Sequence, residues 1–251
     1  MSVNSRLGII DWGIGGISIY KLMKERRGDV PITYFSDTGV TPYGKMNRAE
    51  LISRLNAVIE FLRSKDVTHL VIACNAASTA IPFVDRQGLK IEGVIEPAVT
   101  MTLRTKPKRL GLIGGRRTVL SGVYRRAFGA HNIHVEQRIA QPLSGLIESG
   151  DIASEKLRAE CRRILAPLKN CSHILLACTH YPAIQGILRD FVSAETRFID
   201  PASALVNRIK FSKAGCKSGD IFLTSGDPSA MKRSAKAAFD VSISDVEVVR
   251  I

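Results

Sequence analysis

The sequence predicts an α/β fold with two pseudo-symmetric lobes, each a mostly parallel sheet flanked by helices, and an active site in the cleft between them. Three observations predict it: an internal duplication, short apolar runs that alternate with amphipathic helices, and a length that suits two closely joined lobes. The chain has 251 residues, of which 45% are hydrophobic and 24% are charged. That composition is typical of a globular protein and argues against a disordered, collagen-like or coiled-coil chain.

The duplication consists of three segments of the first half that recur, in the same order, in the second half. The matching pairs are 6–10 (RLGII) with 109–113 (RLGLI), 51–62 with 157–168, and 69–74 (HLVIAC) with 173–178 (HILLAC). In the middle pair, the apolar positions coincide and follow one face of an α-helix. Three matches in one order indicate a duplicated unit rather than a chance similarity between apolar runs.

The elements of each unit follow from its local patterns. Runs such as 70–73 are apolar throughout, which is typical of parallel strands covered by helices on both faces. Asn47 and Glu50 form a capping pair that predicts the start of the first matched helix. After the second unit, residues 222–224 predict one more strand and residues 229–239 one more helix, which we expect to pack on the first lobe.

This last segment makes the first lobe discontinuous in sequence, so the chain is expected to cross between the lobes twice. We assign residues 1–98 and 208–251 to the first lobe and residues 99–207 to the second. In an open parallel sheet, residues just beyond the carboxyl ends of the strands line the binding crevice. We therefore expect the site to be built from the segments that follow the strands of both lobes.

The charge balance bears on possible partners. Lys and Arg number 36 against 23 Asp and Glu, so the formal net charge is +13, which favours acidic partners or anionic substrates. Basic pairs such as Arg116–Arg117 have no interleaved aromatic residues, so we favour a solvated basic surface and leave nucleic-acid binding open. No apolar run reaches the roughly 20 residues of a membrane-spanning helix and no signal-peptide pattern occurs, which predicts a cytoplasmic protein that binds no membrane.

The cysteines are an odd number without a CxxC pair, which argues against a disulfide framework and a zinc ribbon. They are Cys74, Cys161, Cys171, Cys178 and Cys216. Cys161 belongs to an apolar helix face, and no chemical cluster accompanies Cys171 or Cys216. Cys74 and Cys178, in contrast, end equivalent strands of the two units, so they are the candidates for chemistry.

A thiol that follows a strand and precedes a helix has backbone amides and the positive helix end near its sulfur. These groups predict a thiol pKa lowered toward neutrality. Two such thiols on opposite walls of a cleft can place a base and an acid at the two faces of one carbon, which suits stereoinversion. No metal-ligand spacing, dinucleotide fingerprint or phosphate-binding loop occurs, so we predict chemistry without a cofactor or metal. The glycine run 13–16 leaves open a phosphate cradle or a tight turn that approaches a carboxylate.

Six segments together resemble the aspartate/glutamate racemase family, most closely its members that act on glutamate, over nearly the whole chain. They are residues 9–16 (IIDWGIGG), 34–38 with 42–44 (YFSDT and PYG), 73–78 (ACNAAS), 93–97 (GVIEP), 177–182 (ACTHYP) and 224–228 (TSGDP). The resemblance implies a cofactor-independent racemase that interconverts L- and D-glutamate through two cysteines. It also implies that the protein uses no pyridoxal phosphate and supplies D-glutamate for peptidoglycan.

The resemblance also implies roles for individual positions. The residues implied to act in catalysis are Cys74 and Cys178 as acid/base thiols, Asp11 and His180 as neighbours that help them exchange protons, and Asp37 and Glu148 as supporting carboxylates. Those implied to contact the substrate are Asp11, Trp12, Pro42, Tyr43, Gly44, Asn75, Ala76, Thr179 and His180.

Two positions depart from the family pattern, because Trp12 replaces a serine and Ala76 replaces a threonine. Both lost hydroxyls would contact the substrate, and a group left unpaired in such a site costs about 1–3 kcal/mol. One alternative is therefore a racemase of the same family that acts on aspartate or another small acidic substrate. Another is a catalytically idle scaffold or regulatory protein that binds nucleic acid or an acidic partner. We expect a small amino-acid substrate and a homodimer.

Overall fold

The computed structural model describes residues 5–211 and 219–251, so Cys216 lies outside the described residues. The first sheet contains, in spatial order, β10 (Glu247–Val248), β9 (Ile221–Thr224), β2 (Ile32–Ser36), β1 (Arg6–Asp11), β3 (Val67–Ile72) and β4 (Lys90–Gly93). The second sheet contains β6 (Val135–Ile139), β5 (Leu110–Gly114), β7 (His173–Ala177) and β8 (Arg197–Ile199). All the strand pairs of these two sheets are parallel.

Helices connect the strands and cover the sheets. They are α1 (Ile17–Arg26), α2 (Arg48–Ser64), α3 (Asn75–Ser78), α4 (Ile95–Arg104), α5 (Arg116–Leu120), α6 (Val123–Gly129), α7 (Gln141–Glu148), α8 (Glu155–Leu165), α9 (Gln185–Arg189), α10 (Ala202–Arg208) and α11 (Pro228–Phe239). Three short 3₁₀ helices span Ile81–Phe83, Ala166–Leu168 and Tyr181–Ile184. Within the two described ranges, none of the helices combines the length and the apolar character needed to cross a membrane.

The duplication seen in the sequence is a duplication of sheet topology. The order β2-β1-β3-β4 in the first sheet corresponds to β6-β5-β7-β8 in the second. The predicted α/β fold with two pseudo-symmetric parallel sheets is therefore confirmed. β9 pairs with β2, so the C-terminal segment extends the first sheet. The lobe boundaries assigned above stay a prediction.

Both faces of each sheet are buried, because alternate strand residues pack into different apolar clusters. In β1, Ile9 packs with Met23 of α1, whereas its neighbour Ile10 packs with Leu55 of α2. The second sheet divides its apolar residues between two clusters in the same way. This explains why the strand sequences are apolar throughout rather than alternating with polar residues.

Two local features position the loops around the site. The predicted capping pair is present: Asn47 Oδ1 accepts from the Glu50 amide at 3.0 Å, and Glu50 Oε2 accepts from the Asn47 amide at 2.8 Å. The pair fixes the start of α2 and thereby the preceding segment 42–46.

The final helix, α11, contacts α1 and also α7, so it bridges the two sheets and does not pack on the first lobe alone. Sequence patterns within α11 could not indicate the second contact.

Candidate active site

A cleft of about 460 Å³ lies between the two sheets and contains both candidate thiols. Cys74 follows β3 and Cys178 follows β7, so each sits beyond the carboxyl end of the equivalent strand. All nine residues predicted to contact the substrate line this cleft, whereas Asp37 and Glu148 do not. The two sulfurs therefore share one cavity, which two-sided chemistry at a single carbon requires.

On one side of the cleft, Cys178 is part of a chain of three side chains. Its Sγ lies 3.7 Å from His180 Nδ1, and His180 Nε2 lies 2.6 Å from Glu148 Oε2. Burial alone would lower the pKa of His180, but its hydrogen bonds with Cys178 and Glu148 outweigh this effect and raise that pKa well above the ordinary value. Glu148 thus favours the protonated imidazole and holds the ring against the sulfur, an arrangement that activates thiols in other enzymes.

The raised pKa of His180 has a testable consequence. Glu148→Gln removes a negative charge beside the imidazole with little change of shape, so we expect the pKa of His180 to fall. Because the folded pKa lies above the unfolded value of about 6.5, protonated His180 contributes stability that is complete below that pH. This contribution is lost as the pH rises through the folded pKa, and in Glu148→Gln the loss should occur at lower pH.

NMR titration of the His180 ring protons, combined with urea unfolding at several pH values, measures both effects. The matched control is Glu155→Gln, which makes the same charge change at an exposed position on α8. It should leave the pKa of His180 unchanged. A His180 that titrates near 6.5 in the unaltered protein would contradict the assignment.

On the other side of the cleft, Cys74 lies beside the buried Asp11. Burial raises the pKa of Asp11, although the positive charge of His180 and a hydrogen bond from Thr179 Oγ1 at 2.6 Å oppose the rise. Burial also raises the pKa of Cys74, and the charge of Asp11 raises it further. The expectation of a lowered thiol pKa is therefore wrong for Cys74, because desolvation outweighs the backbone hydrogen bonds from Ala76 and Ala77.

The glycine run 13–16, which follows β1 of the first sheet, packs its backbone against side chains of the second lobe. The Ile14 amide donates to Glu148 Oε2 at 2.9 Å. A Cβ added at Gly13 would lie 2.0 Å from the same oxygen, and one at Gly15 would lie 2.3 Å from Thr179 Oγ1. Of the two interpretations left open by the sequence, these contacts favour the tight turn, and the carboxylate it approaches belongs to Glu148.

Asp37 lies behind the cleft wall. Its carboxylate is fully buried and accepts hydrogen bonds from Tyr43 Oη at 2.6 Å and from Ser225 Oγ at 2.7 Å. The guanidinium of Arg54 binds both of its oxygens, at 2.8 and 2.6 Å. Tyr43 lines the cleft and Asp37 does not, so the contact between Asp37 and the cleft runs through Tyr43.

The two positions that depart from the family pattern are both in the cleft wall. Trp12 donates from its indole Nε1 to the carbonyl of Val40 at 3.1 Å, so the ring is fixed to the loop that precedes Pro42. Ala76 is buried and presents only a methyl group. The geometry therefore makes Trp12 a part of the pocket wall.

Asn75 offers a hydrogen-bond donor to a ligand. Its Oδ1 accepts from Tyr124 Oη at 2.7 Å, while its Nδ2 is buried and has no hydrogen-bond partner among residues 5–211 and 219–251. A buried unpaired donor is costly, and a ligand carboxylate in the cleft would satisfy it. In the same part of the chain, no group of three or more His, Cys, Asp or Glu side chains could hold a metal ion.

Sequence reasoning missed the cleft residues that do not belong to the quoted motifs. They are Lys45, Gly115, Thr118, Gln141, Pro142, Ser144 and Gly145. The internal repeat contained the signal for several of them. Gly115 follows β5 as Trp12 follows β1, and Gln141 is the second residue after β6 as Thr38 is the second after β2. Extending the repeat from the cysteines to these strands would have identified both loops.

Comparisons with known proteins agree with this geometry. The family model for Asp/Glu/hydantoin racemase matches residues 7–209. A glutamate racemase of Gloeobacter violaceus is 32% identical over 248 residues, which cover 93% of this chain and 91% of that protein. A glutamate racemase of Bacillus cereus is 31% identical and covers 98% and 97% of the two chains.

Solved structures support the same fold. The crystal structure of glutamate racemase from Francisella tularensis in complex with D-glutamate aligns with a TM-score of 0.86. The alignment covers 98% of this chain and 98% of that chain, at 23% sequence identity. At this identity the similarity demonstrates the two-sheet fold and no more.

Proposed function

Because the chain belongs to the Asp/Glu/hydantoin racemase family and is an isomerase, we propose that it interconverts L- and D-glutamate without a cofactor. Cys74 and Cys178 act as alternating base and acid. The observation that carries the proposal is the shared cleft, in which one thiol lies beside Asp11 and the other beside His180. The relatives named glutamate racemase support glutamate as the substrate.

The proposed reaction moves one proton off the α-carbon and another onto it. A thiolate on one side takes the proton, and the electron pair of the broken C–H bond stays on the α-carbon. The thiol on the opposite side then gives its proton to that electron pair on the other face. After turnover the two sulfurs have exchanged protonation states, so the pair serves both directions.

The two sides of the cleft differ in how they hold protons. On the first side, burial and the charge of Asp11 raise the pKa of Cys74, which favours the protonated thiol. On the second side, the raised pKa of His180 favours an imidazolium, which can pair with a thiolate at Cys178 across 3.7 Å.

The carbanion-like transition state needs stabilisation, because an amino-acid α-hydrogen is far less acidic than a thiol. Donors aimed at the α-carboxylate lower this barrier by stabilising the charge that spreads into it. The unpaired Nδ2 of Asn75 is one such donor, and Thr118 adds a hydroxyl to the cleft lining. Together they favour a substrate that presents carboxylate oxygens.

Purified protein incubated separately with the L- and D-forms of glutamate and aspartate, followed by circular dichroism, tests this function. We expect either enantiomer of glutamate to reach an equal mixture of both, with a higher kcat/KM than aspartate. Faster turnover of aspartate would reassign the substrate and implicate the changed side chains at Trp12 and Ala76. Absence of racemisation, together with salt-dependent retention of DNA, would instead support the scaffold or regulatory alternative.

The proposal extends to the cellular role implied by the family resemblance. We propose that the product D-glutamate supplies peptidoglycan synthesis, that the enzyme acts in the cytoplasm, and that it forms a homodimer. Size-exclusion chromatography with light scattering measures the last of these directly.

A further inference from the structure

A second pocket of about 470 Å³ lies beside the active-site cleft and shares Gly44 and Lys45 with it. We call it the basic pocket. Four of its lining side chains are cationic: Lys45, Arg48, Arg116 and Arg117. None of its lining residues is acidic. We propose that the basic pocket binds a phosphate-bearing small molecule at the junction of the two lobes.

The four cations come from both halves of the molecule. Lys45 precedes α2 and Arg48 begins it, whereas Arg116 and Arg117 begin α5, which follows the first strand of the second sheet. Arg117 also donates across the junction, to the Met46 carbonyl at 2.9 Å. A ligand held by these side chains would therefore contact both lobes at once.

These charges are not neutralised by the protein. In the part of the chain that the structure describes, no ion pair joins any of the four to a carboxylate. Burial and the nearby charge of Arg48 lower the pKa of Arg117, which indicates that the like charges repel one another. A concave surface of one sign focuses its field and attracts counter-ions, so an anion placed here relieves the repulsion.

The residue types favour phosphate over carboxylate. Guanidinium groups present paired N–H donors that match phosphate oxygens, and a phosphate carries more negative charge and more acceptor oxygens than a single carboxylate. Three of the four cations are arginines. The exposed side chain of Leu120 in the same pocket provides an apolar surface for the organic part of such a ligand.

Isothermal titration of the full-length protein with pyrophosphate, at constant ionic strength, tests the proposal without any turnover. We expect saturable binding at one site, and a Kd at least tenfold higher in the double variant Arg48→Ala/Arg116→Ala. The control is Arg63→Ala/Arg125→Ala, which removes two exposed arginines from α2 and α6 outside the pocket. It makes the same change in net charge and should leave the Kd within twofold.

Malonate serves as the carboxylate probe and should bind at least tenfold more weakly than pyrophosphate. The proposal would be overturned if both double variants bound pyrophosphate equally weakly, or if malonate bound as tightly as pyrophosphate. It would also be overturned if pyrophosphate showed no saturable binding. If the pocket double variant fails to unfold cooperatively, Arg116→Ala alone replaces it. Because binding is measured without substrate, a failure here is distinguishable from a failure of the proposed racemase activity.

Discussion

Replacement of Cys74 or of Cys178 by Ala is expected to lower kcat for glutamate racemisation by about 10³-fold or more. Each thiol is the group proposed to exchange a proton with the α-carbon on its side of the cleft, and a positioned acid or base contributes about 10²–10⁴-fold. Loss of either one stops the inversion, because the proton must leave one face of the α-carbon and arrive at the other. Steady-state kinetics by circular dichroism, started from each enantiomer, measures the effect.

The matched control is Cys171→Ala. Cys171 is buried against Gly111 of β5 and does not line the cleft, so its removal should leave kcat within about twofold. Both active-site variants should keep the cooperative unfolding of the parent protein. A Cys74→Ala protein with near-normal turnover would refute the two-base mechanism.

Substitution of Gly15 by Ala is expected to give the second-largest effect, although Gly15 has no side chain of its own. An added Cβ would lie 2.3 Å from Thr179 Oγ1, 2.7 Å from His180 Nδ1 and 2.9 Å from Asp11 Oδ2. All three atoms would have to move, and a displacement of about 1 Å can reduce a rate by about 10²-fold. We expect kcat to fall by that order and the free energy of unfolding to fall by about 1–3 kcal/mol.

Gly186→Ala on α9 is the control for the extra methyl group, because a Cβ there meets no atom within 4 Å. It should leave kcat unchanged and stabilise the protein slightly, since alanine loses less conformational freedom than glycine in a helix. Kinetics and urea unfolding of both variants provide the comparison. Unchanged kcat in Gly15→Ala would show that the close approach of His180 and Thr179 to the glycine run does not matter for turnover.

The fold could be predicted from the sequence because its signals are local and repeated. The apolar runs that became β1 and β5, and those that became β3 and β7, occur in the same order in both halves. Parallel strands connected by helices allow only a few chain topologies. The matching positions of Cys74 and Cys178 in the repeat were therefore enough to predict that both lie at the ends of equivalent strands. The capping pair at Asn47 was visible for the same reason, since both of its partners lie within one helical turn.

The electrostatics of the site could not be predicted in this way. The rule that lowers the pKa of a thiol before a helix start considers only neighbours in sequence, whereas desolvation by the packed lobes and the charge of Asp11 act on Cys74 from a distance. The contact between Glu148 and the Ile14 amide likewise joins segments from different sheets. Such effects depend on how the lobes pack together, which no local pattern encodes.

Some wall residues were missed for a related reason. Lys45 and Gln141 lie in loops whose sequence patterns predict only a turn, and they reach the cleft because the two sheets present their carboxyl ends to the same space. The role of Asp37 could be read only once Tyr43 and Arg54 were seen around it. The repeat predicted the position of the site, whereas the packing of the lobes determines which side chains line it.

The most direct test of two thiols acting on opposite faces of one carbon is the early course of hydrogen exchange in D₂O. With L-glutamate as substrate, and at low conversion, the product should carry deuterium at the α-carbon while the remaining L-glutamate keeps protium. With D-glutamate as substrate, the L-glutamate formed should carry deuterium while the remaining D-glutamate keeps protium. Deuterium entering the starting enantiomer as fast as the product would mean that one group serves both faces, and would contradict the account.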